Sequence, residues 1–67
     1  MTIPELITNA RKAQGLTQKQ LGTALGYEGD TAEVSVRRWE SGKRPIPIEK
    51  LRALAKALDL PLESLIP

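Results

Sequence analysis

The chain has 67 residues, of which 40% are hydrophobic and only 3% aromatic, and it contains neither cysteine nor histidine. These counts exclude disulfide bonds and the common zinc sites, and they remove the usual catalytic base and nucleophile. Ten basic and eight acidic residues leave a net charge of +2, with no signal peptide and no apolar run long enough to span a membrane. We expect one cytoplasmic all-α domain over residues 1–67 that is not an enzyme and needs no cofactor.

The first helix is predicted to start at a capping box. Thr2 precedes Pro4 and Glu5, which places a hydroxyl at the cap and a glutamate at the third helical position. Gly15 supplies the left-handed conformation that commonly ends a helix. The prediction is a helix over residues 3–14 with the inward stripe Ile3, Leu6, Ile7, Ala10 and Ala13.

The second helix begins with another capping box, formed by Thr17 and Gln20, and is stopped by Gly26. Its first residues, Gln18 and Lys19, add side-chain donors to the free main-chain N–H groups of a helix start, which is a natural place for a phosphate. The prediction is a helix over residues 18–25 with the inward stripe Leu21, Ala24 and Leu25.

The third helix is placed by Trp39, the only tryptophan of the chain. If Trp39 points inward, helical spacing brings Val36 and Ala32 to the same side. Asp30 and Glu33 have the spacing of a D-x-x-E cap, so we expect a helix over residues 31–41 that is capped by Asp30 and stopped by Gly42. The residues that then point outward are Glu33, Val34, Arg37 and Arg38.

Two prolines, Pro45 and Pro47, predict an extended loop after the third helix. Pro47 is placed to start a fourth helix with the inward stripe Ile48, Leu51, Leu54, Ala55 and Leu58. The sequence then restarts at Asp59-Leu60-Pro61 into a short fifth helix that carries Leu62, Leu65 and Ile66.

The basic residues Arg37, Arg38, Lys43 and Arg44 fall within eight positions. Such a cluster is often only a solvated face. Here it covers one helix and the loop beyond it, and a second helix with phosphate-binding donors precedes them. This arrangement suits a helix that enters a groove of DNA while its neighbours hold the backbone.

Three segments, GLTQKQLGTALGY, VSVRRWESGKRPIP and IEKLRALAKALDLPLESL, resemble the Cro and lambda-repressor type of helix-turn-helix domain, also called the XRE family. The resemblance covers residues 5–66. It implies a compact five-helix domain in which the second and third helices form the DNA-binding pair.

The chain departs from the family pattern in front of the third helix. Twelve residues separate Gly26 from Trp39, which is about one helical turn more than is usual in the family. The additional residues fall near 27–31, so we expect a lengthened turn before the recognition helix: either this helix gains a turn at its N-terminus or a longer loop precedes it.

The resemblance places three outward residues of the third helix against base edges. Arg38 would bind guanine through both arms of its guanidinium, unless it faces solvent or a phosphate. Val34 would meet a thymine methyl group, unless the additional turn rotates it into the core. Glu33 would accept from a cytosine amine, unless it caps the helix or pairs with Arg37.

Other residues are expected to contact the DNA backbone: Thr17, Gln18, Lys19, Arg37, Ser41, Lys43 and Arg44. The resemblance implies a phosphate contact for Gln18, whereas Lys43 and Arg44 are alternatively parts of a solvated loop. It also implies a structural salt bridge between Arg11 and Glu40, and Trp39 is expected in the core.

The sequence therefore predicts a sequence-specific, double-stranded DNA-binding transcriptional regulator, most simply a repressor that binds a palindromic operator as a homodimer. Leu62, Leu65 and Ile66 are the first candidate dimer surface and Tyr27 the second, unless the leucines only close the monomer core. No small-molecule ligand or membrane partner is evident. The alternative function is an antitoxin or another protein-interaction module on the same fold, with weak or no DNA binding.

Overall fold

The computed structural model describes residues 1–66 and contains four α-helices and a short 3-10 helix. The elements in chain order are α1 (Ile3–Ala13), α2 (Gln18–Ala24), α3 (Asp30–Glu40), α4 (Ile48–Leu58) and the 3-10 helix (Leu62–Leu65). Residues 1–66 contain no strand, so the all-α prediction with five helical elements is confirmed. None of the described helices is long and apolar enough to cross a membrane.

Both predicted capping boxes are present. The Thr2 hydroxyl accepts a hydrogen bond from the Glu5 main-chain N–H at 3.2 Å, and the Glu5 carboxylate accepts one from the Thr2 N–H at 3.0 Å. Thr17 and Gln20 repeat the pattern at 3.0 and 2.8 Å. The two helices end one residue earlier than predicted, because Gln14 and Leu25 occupy the C-cap positions.

The predicted cap of α3 is wrong. Gly29 occupies the N-cap position with φ 56° and ψ −140°, and no side chain bonds to the first turn. This backbone conformation belongs almost entirely to glycine, so the chain turns at Gly29 and Asp30 becomes the first helical residue. Of the twelve residues between Gly26 and Trp39, nine belong to α3 and three to the preceding turn. Of the additional residues near 27–31, those at 27–29 form the turn and those at 30–31 begin α3, so the extra length is shared between the turn and the start of the helix.

The core lies where the four helices and the C-terminal 3-10 helix meet. Trp39 is only 4% exposed, so its predicted place in the core is confirmed. The buried apolar residues packed around it are Ile7, Leu21, Leu25, Val36, Leu54, Ala55, Leu58 and Leu65.

Three residues predicted to face inward are exposed instead. Ala13 is the last residue of α1, and Ile48, 84% exposed, is the first residue of α4, so both lie at helix ends that extend past the core. Ala24 is exposed because α2 buries the side that carries Leu21 and Gly22.

The C-terminal segment closes the core of the monomer. Asp59 ends α4 in the left-handed conformation, and the chain turns through Pro61 into the 3-10 helix. Leu65 is 2% exposed and belongs to the core, whereas Ile66 follows the 3-10 helix and is 51% exposed. The prediction that Leu65 forms part of a dimer surface is therefore wrong, because its side chain is already covered by the chain itself.

Candidate nucleic-acid interface

The outward side of α3 carries two rows of side chains, which we call the α3 ridge: Glu33 with Arg37, and Val34 with Arg38. Each row joins residues four positions apart, which lie one above the other on a helix. Glu33, Arg37 and Arg38 are exposed. Val34 is half-buried and lies outside the core cluster, so the additional turn does not rotate it into the core. Because Trp39 holds the opposite side of α3 in the core, the ridge projects from the body of the protein.

The charged groups of the ridge have no partner among residues 1–66. Within that range the only ion pair joins Arg11 to Glu40, so the alternative that Glu33 pairs with Arg37 does not apply. Nor does Glu33 cap the helix. The guanidinium groups of Arg37 and Arg38 make no side-chain hydrogen bond to the described chain either. Their donors are free for a ligand such as a base edge or a phosphate.

Negative and positive side chains lie at opposite ends of α3. Asp30 and Glu33 lie in the first turn of α3, and Arg37 and Arg38 lie in its last turn. This distribution complements the helix dipole, which favours negative charge at the N-terminus and positive charge at the C-terminus. A polyanion therefore meets repulsion at the front of α3 and attraction at its end.

The predicted salt bridge between α1 and α3 is confirmed. The Arg11 Nε donates to one Glu40 carboxylate oxygen at 2.6 Å and a terminal nitrogen donates to the other at 3.1 Å. A further Arg11 nitrogen donates to the Leu16 carbonyl at 2.8 Å, which ties the α1–α2 turn to the same group. The two charged side chains are only 11% and 8% exposed, so this pair fixes α1, α2 and α3 relative to one another.

Gln18 is also held by this pair. Its side-chain nitrogen donates to Glu40 at 3.2 Å, which joins the start of α2 to the end of α3. A glutamine amide has two N–H donors, so one remains for a second partner. At the same end of α2, Thr17 and Lys19 are exposed, and the Thr17 hydroxyl oxygen is used by the cap while its hydrogen stays free.

The loop after α3 folds back onto the helix end. The main-chain N–H groups of Lys43 and Arg44 donate to the Arg38 carbonyl at 3.0 and 3.4 Å, with Gly42 in a left-handed conformation at φ 77°. Both long side chains are exposed. The Ser41 hydroxyl also donates to the Arg38 carbonyl, at 3.0 Å, so its hydrogen is already used inside the protein. Lys43 and Arg44 are thus displayed beside the α3 ridge, whereas Ser41 is the weakest predicted donor.

Two features of this surface did not emerge from the sequence. Gly22 lies buried against the main chain of Ala32, where a side chain would collide. The signal for it is a glycine in the middle of an amphipathic helix, which usually marks close packing. The second is a contact from α4 to the α2–α3 turn: Lys50 Nζ donates to the Leu25 carbonyl at 2.9 Å. No sequence pattern predicts that bond, since the two residues are 25 positions apart.

Tyr27, in the α2–α3 turn, packs beneath the same ammonium group. Lys50 Nζ lies 4.8 Å from the centre of the Tyr27 ring, and the ring meets Trp39 edge to face with centroids 5.8 Å apart. Burial raises the pKa of the Tyr27 hydroxyl, and the negative charge of Glu49 raises it further. The turn therefore contacts both α3 and α4.

No group of three or more aspartate or glutamate side chains within residues 1–66 is arranged to hold a metal ion.

Most of the chain matches a known protein family. A family model described as "Helix-turn-helix" matches residues 7–65, which include the whole of α2, α3 and α4. No curated protein and no solved structure gives a significant match.

Proposed function

The chain belongs to the XRE-type helix-turn-helix family of DNA-binding regulators, and from this premise we propose that it is a cytoplasmic, sequence-specific repressor that binds double-stranded DNA as a homodimer. One observation carries the proposal. Trp39 is buried at 4% exposure, while its neighbours Arg37 and Arg38 are exposed and without a partner in the described chain. The helix is anchored on one side and offers free cationic donors on the other.

In the proposed complex α3 lies in the major groove and the α3 ridge meets the base edges. Arg38 suits guanine, which presents two acceptors that match the guanidinium fork. Val34 lies one turn before it on the same row and suits a thymine methyl group. Glu33 accepts from a cytosine amine. This last contact also offsets the repulsion between the carboxylate and the phosphates.

The backbone contacts come from both sides of the ridge. At the start of α2, Gln18 and Lys19 donate to one phosphate strand, with the Thr17 hydroxyl as a further donor. Beyond the end of α3, Lys43 and Arg44 reach the other strand. Arg37 lies on the outer row of the ridge and suits a phosphate more than a base. The hydrogen bond from Gln18 to Glu40 keeps these two groups of donors at a fixed spacing across the groove. We assign Ser41 a lesser role because its hydroxyl bonds to the Arg38 carbonyl.

The low net charge favours two or more copies on the DNA. A net charge of +2 gives one chain little attraction for DNA, and each additional phosphate contact strengthens binding. Two subunits related by a two-fold axis double the contacts and read a palindrome whose half-sites lie about one helical turn apart. A dimer bound across a promoter excludes the polymerase, which is the simplest mechanism of repression.

We place the dimer surface at a mainly apolar groove of about 490 Å³ whose lining includes Ile3, Pro45, Ile48 and Leu51. Arg44, assigned above to the DNA backbone, also lines this groove. Ile48 is 84% exposed in this groove and Ile66 is 51% exposed, whereas Leu65, at 2% exposure, belongs to the core that forms the groove's floor. A second copy is the occupant that suits the groove best. In a two-fold arrangement the protruding Ile48 of each copy enters the groove of the other, so one patch supplies both the protruding side chain and its pocket.

Selection of bound sequences from a random pool of duplexes tests the proposal. A palindromic consensus with half-sites about one turn apart supports a dimeric, sequence-specific protein, and its affinity should fall steeply as the salt concentration rises. Unselective enrichment would contradict sequence-specific recognition. Failure to bind any duplex at low salt would contradict DNA binding itself and favour a protein-interaction module instead.

A further inference from the structure

One residue of α4 reaches the turn that precedes the recognition helix. Lys50 Nζ donates to the Leu25 carbonyl at 2.9 Å and lies 4.8 Å from the centre of the Tyr27 ring. We call this group of contacts the Lys50–Tyr27 clamp. Lys50 and Tyr27 are both half-buried, so the clamp is partly shielded from water.

The clamp satisfies two physical needs of the turn. Leu25 is the C-cap of α2, and its carbonyl belongs to the helix end that has no helical partners and carries partial negative charge. An ammonium group there supplies both a donor and a favourable charge. The same ammonium group is attracted by the face of the tyrosine ring, and that attraction is stronger where water is partly excluded. Gly26 lies between the two contacts with φ 96°, a backbone conformation that favours glycine, and a Cβ there would be in ordinary contact with Nζ at 3.7 Å.

The clamp also connects to α2 and α3. The main-chain N–H of Tyr27 donates to the Gly22 carbonyl at 3.1 Å, and the Tyr27 ring meets the Trp39 ring edge to face. Lys50, Tyr27 and Trp39 thus form a continuous set of contacts from α4 through the turn to α3. Beyond Tyr27 the turn has little other support. Glu28 and Gly29 in the turn and Asp30 and Thr31 in the first turn of α3 are all exposed, and no side chain caps α3.

We propose that Lys50 and Tyr27 are positioning residues that fix the turn and the N-terminal part of α3 for base recognition, although neither contacts DNA. The inference rests on the proposed function, because it concerns the accuracy with which the α3 ridge meets the bases. Recognition by paired hydrogen bonds depends on orientation, whereas attraction to phosphates depends mainly on charge. Loss of the clamp should therefore reduce discrimination between DNA sequences more than it reduces binding to DNA in general.

The test measures the ratio of affinities for the selected operator and for a scrambled duplex of the same length. Lys50→Met removes the ammonium group but keeps the length of the side chain. Lys56→Met is the matched control, because it removes the same charge from an exposed position of the same helix. We expect Lys50→Met to lower the ratio by about fivefold or more, the size of one lost cation–π contact or hydrogen bond. Lys56→Met should leave the ratio within twofold of wild type.

Conservative variants separate positioning from folding. Lys50→Arg retains a cationic donor and should give the wild-type affinity ratio. Tyr27→Phe should also give the wild-type ratio, because the face of the aromatic ring remains. Tyr27→Leu removes the ring and should behave like Lys50→Met. Amide hydrogen exchange of the free protein gives a readout without DNA: Lys50→Met should accelerate exchange at residues 26–32 and leave α1 unchanged.

Two results would end the inference. An unchanged affinity ratio in Lys50→Met and Tyr27→Leu, with wild type still selective, would show that the clamp only stabilises the fold. Unchanged exchange at residues 26–32 would show that it does not hold the turn. A wild-type chain that binds no duplex would instead contradict the proposed function, so the two failures are distinguishable.

Discussion

Gly22 of α2 packs directly on the main chain of Ala32 in α3. A Cβ at Gly22 would overlap the carbonyl oxygen, the carbonyl carbon and the Cα of Ala32. The overlapped atoms are backbone atoms, which cannot move aside as the end of a flexible side chain can. The approach of the two helices of the DNA-binding pair is therefore set by the absence of a side chain at one position.

Gly22→Ala should destabilise the fold by about 3 kcal/mol or more, at the upper end of what overpacking costs, because the backbone of α3 has to shift. Gly15→Ala is the control. Its Cβ would meet nothing within 4 Å, so only the cost of its positive φ of 71° remains, about 1 to 2 kcal/mol. Urea denaturation followed by circular dichroism gives both values. If both variants lost the same free energy of unfolding, the overlap at Ala32 would be relieved by a movement of α2 and α3 that needs no additional free energy.

The starts of α1 and α2 were predictable because each capping box joins residues only three positions apart. The start of α3 was not. Its cap depends on the unusual backbone of Gly29, and sequence spacing instead favoured Asp30, which has the right side chain but lies one position too late. Hydrophobic periodicity was also misleading for Ile48, since it identifies one side of a helix without showing where the core ends.

The candidate interface was likewise predictable from the sequence only in part. Trp39 identified the inner side of α3, and helical geometry then gave the outward ridge correctly. The Arg11–Glu40 pair was available only through family resemblance, as its partners are 29 positions apart. The Lys50 bond to Leu25 follows no local sequence pattern, since its partners are 25 positions apart. Contacts between distant positions depend on the packed tertiary structure, which a single sequence does not display.

Arg11→Met should destabilise the protein by about 3 kcal/mol, because it leaves the nearly buried Glu40 carboxylate without its cation. The double variant Arg11→Met/Glu40→Leu should regain most of that loss, since the isolated charge is removed and apolar groups replace the pair. A double-mutant cycle by urea denaturation measures the coupling. Simple additivity of the single changes would contradict a direct interaction between the two side chains.

The α1 capping box should make stability depend on pH. The Thr2 main-chain N–H and then the Thr2 hydroxyl donate to the Glu5 carboxylate and hold its pKa below the ordinary value. A lowered folded-state pKa stabilises the fold above the unfolded pKa, and this contribution is lost as the pH falls through the folded value. Carbon NMR titration should show that the pKa of Glu5 rises in Thr2→Ala.

The same variant provides the stability measurement. Thr2→Ala should cost more at pH 7 than in acid below the lowered pKa of Glu5, because protonation of Glu5 removes the carboxylate's contribution to the box. Thr23→Ala, at an exposed position of α2, should cost the same at both values. If Thr2→Ala lowered the free energy of unfolding equally at both pH values, the effect would come from loss of the hydroxyl cap alone, without a contribution from the Glu5 charge.

Substitutions of Ile48 and Leu65 should have different effects, the first on dimer dissociation and the second on the free energy of unfolding. Ile48→Asp places a charge at the proposed dimer surface but suits the first turn of α4, so we expect a folded chain whose dimer dissociates at least about tenfold more readily. Leu65→Ala should instead cost about 2 to 5 kcal/mol of folding free energy, because its side chain is fully enclosed. Sedimentation equilibrium and urea denaturation measure the two effects.

Ala53→Asp is the control for Ile48→Asp. It adds the same charge at an exposed position of α4 outside the lining of the groove, and its dimer should be as stable as that of wild type. Equal weakening by both variants would assign the effect to charge alone. A wild-type chain that stayed monomeric at all concentrations, with or without operator DNA, would remove the dimer from the proposal.

Arg38 and Lys43 should differ in what their loss does to DNA binding. Arg38→Ala removes a bidentate base contact, so we expect a loss of about 1 to 3 kcal/mol on the operator and relaxed preference at one base pair. Lys43→Ala removes a phosphate contact, so all duplexes should bind more weakly and the slope of log affinity against log salt should fall by about 1. Arg52→Ala removes an exposed charge of α4 outside the proposed contacts and serves as the control. If Arg38→Ala weakened operator and scrambled duplexes equally, Arg38 would be a phosphate contact, and base recognition by the ridge would depend on Val34 and Glu33 alone.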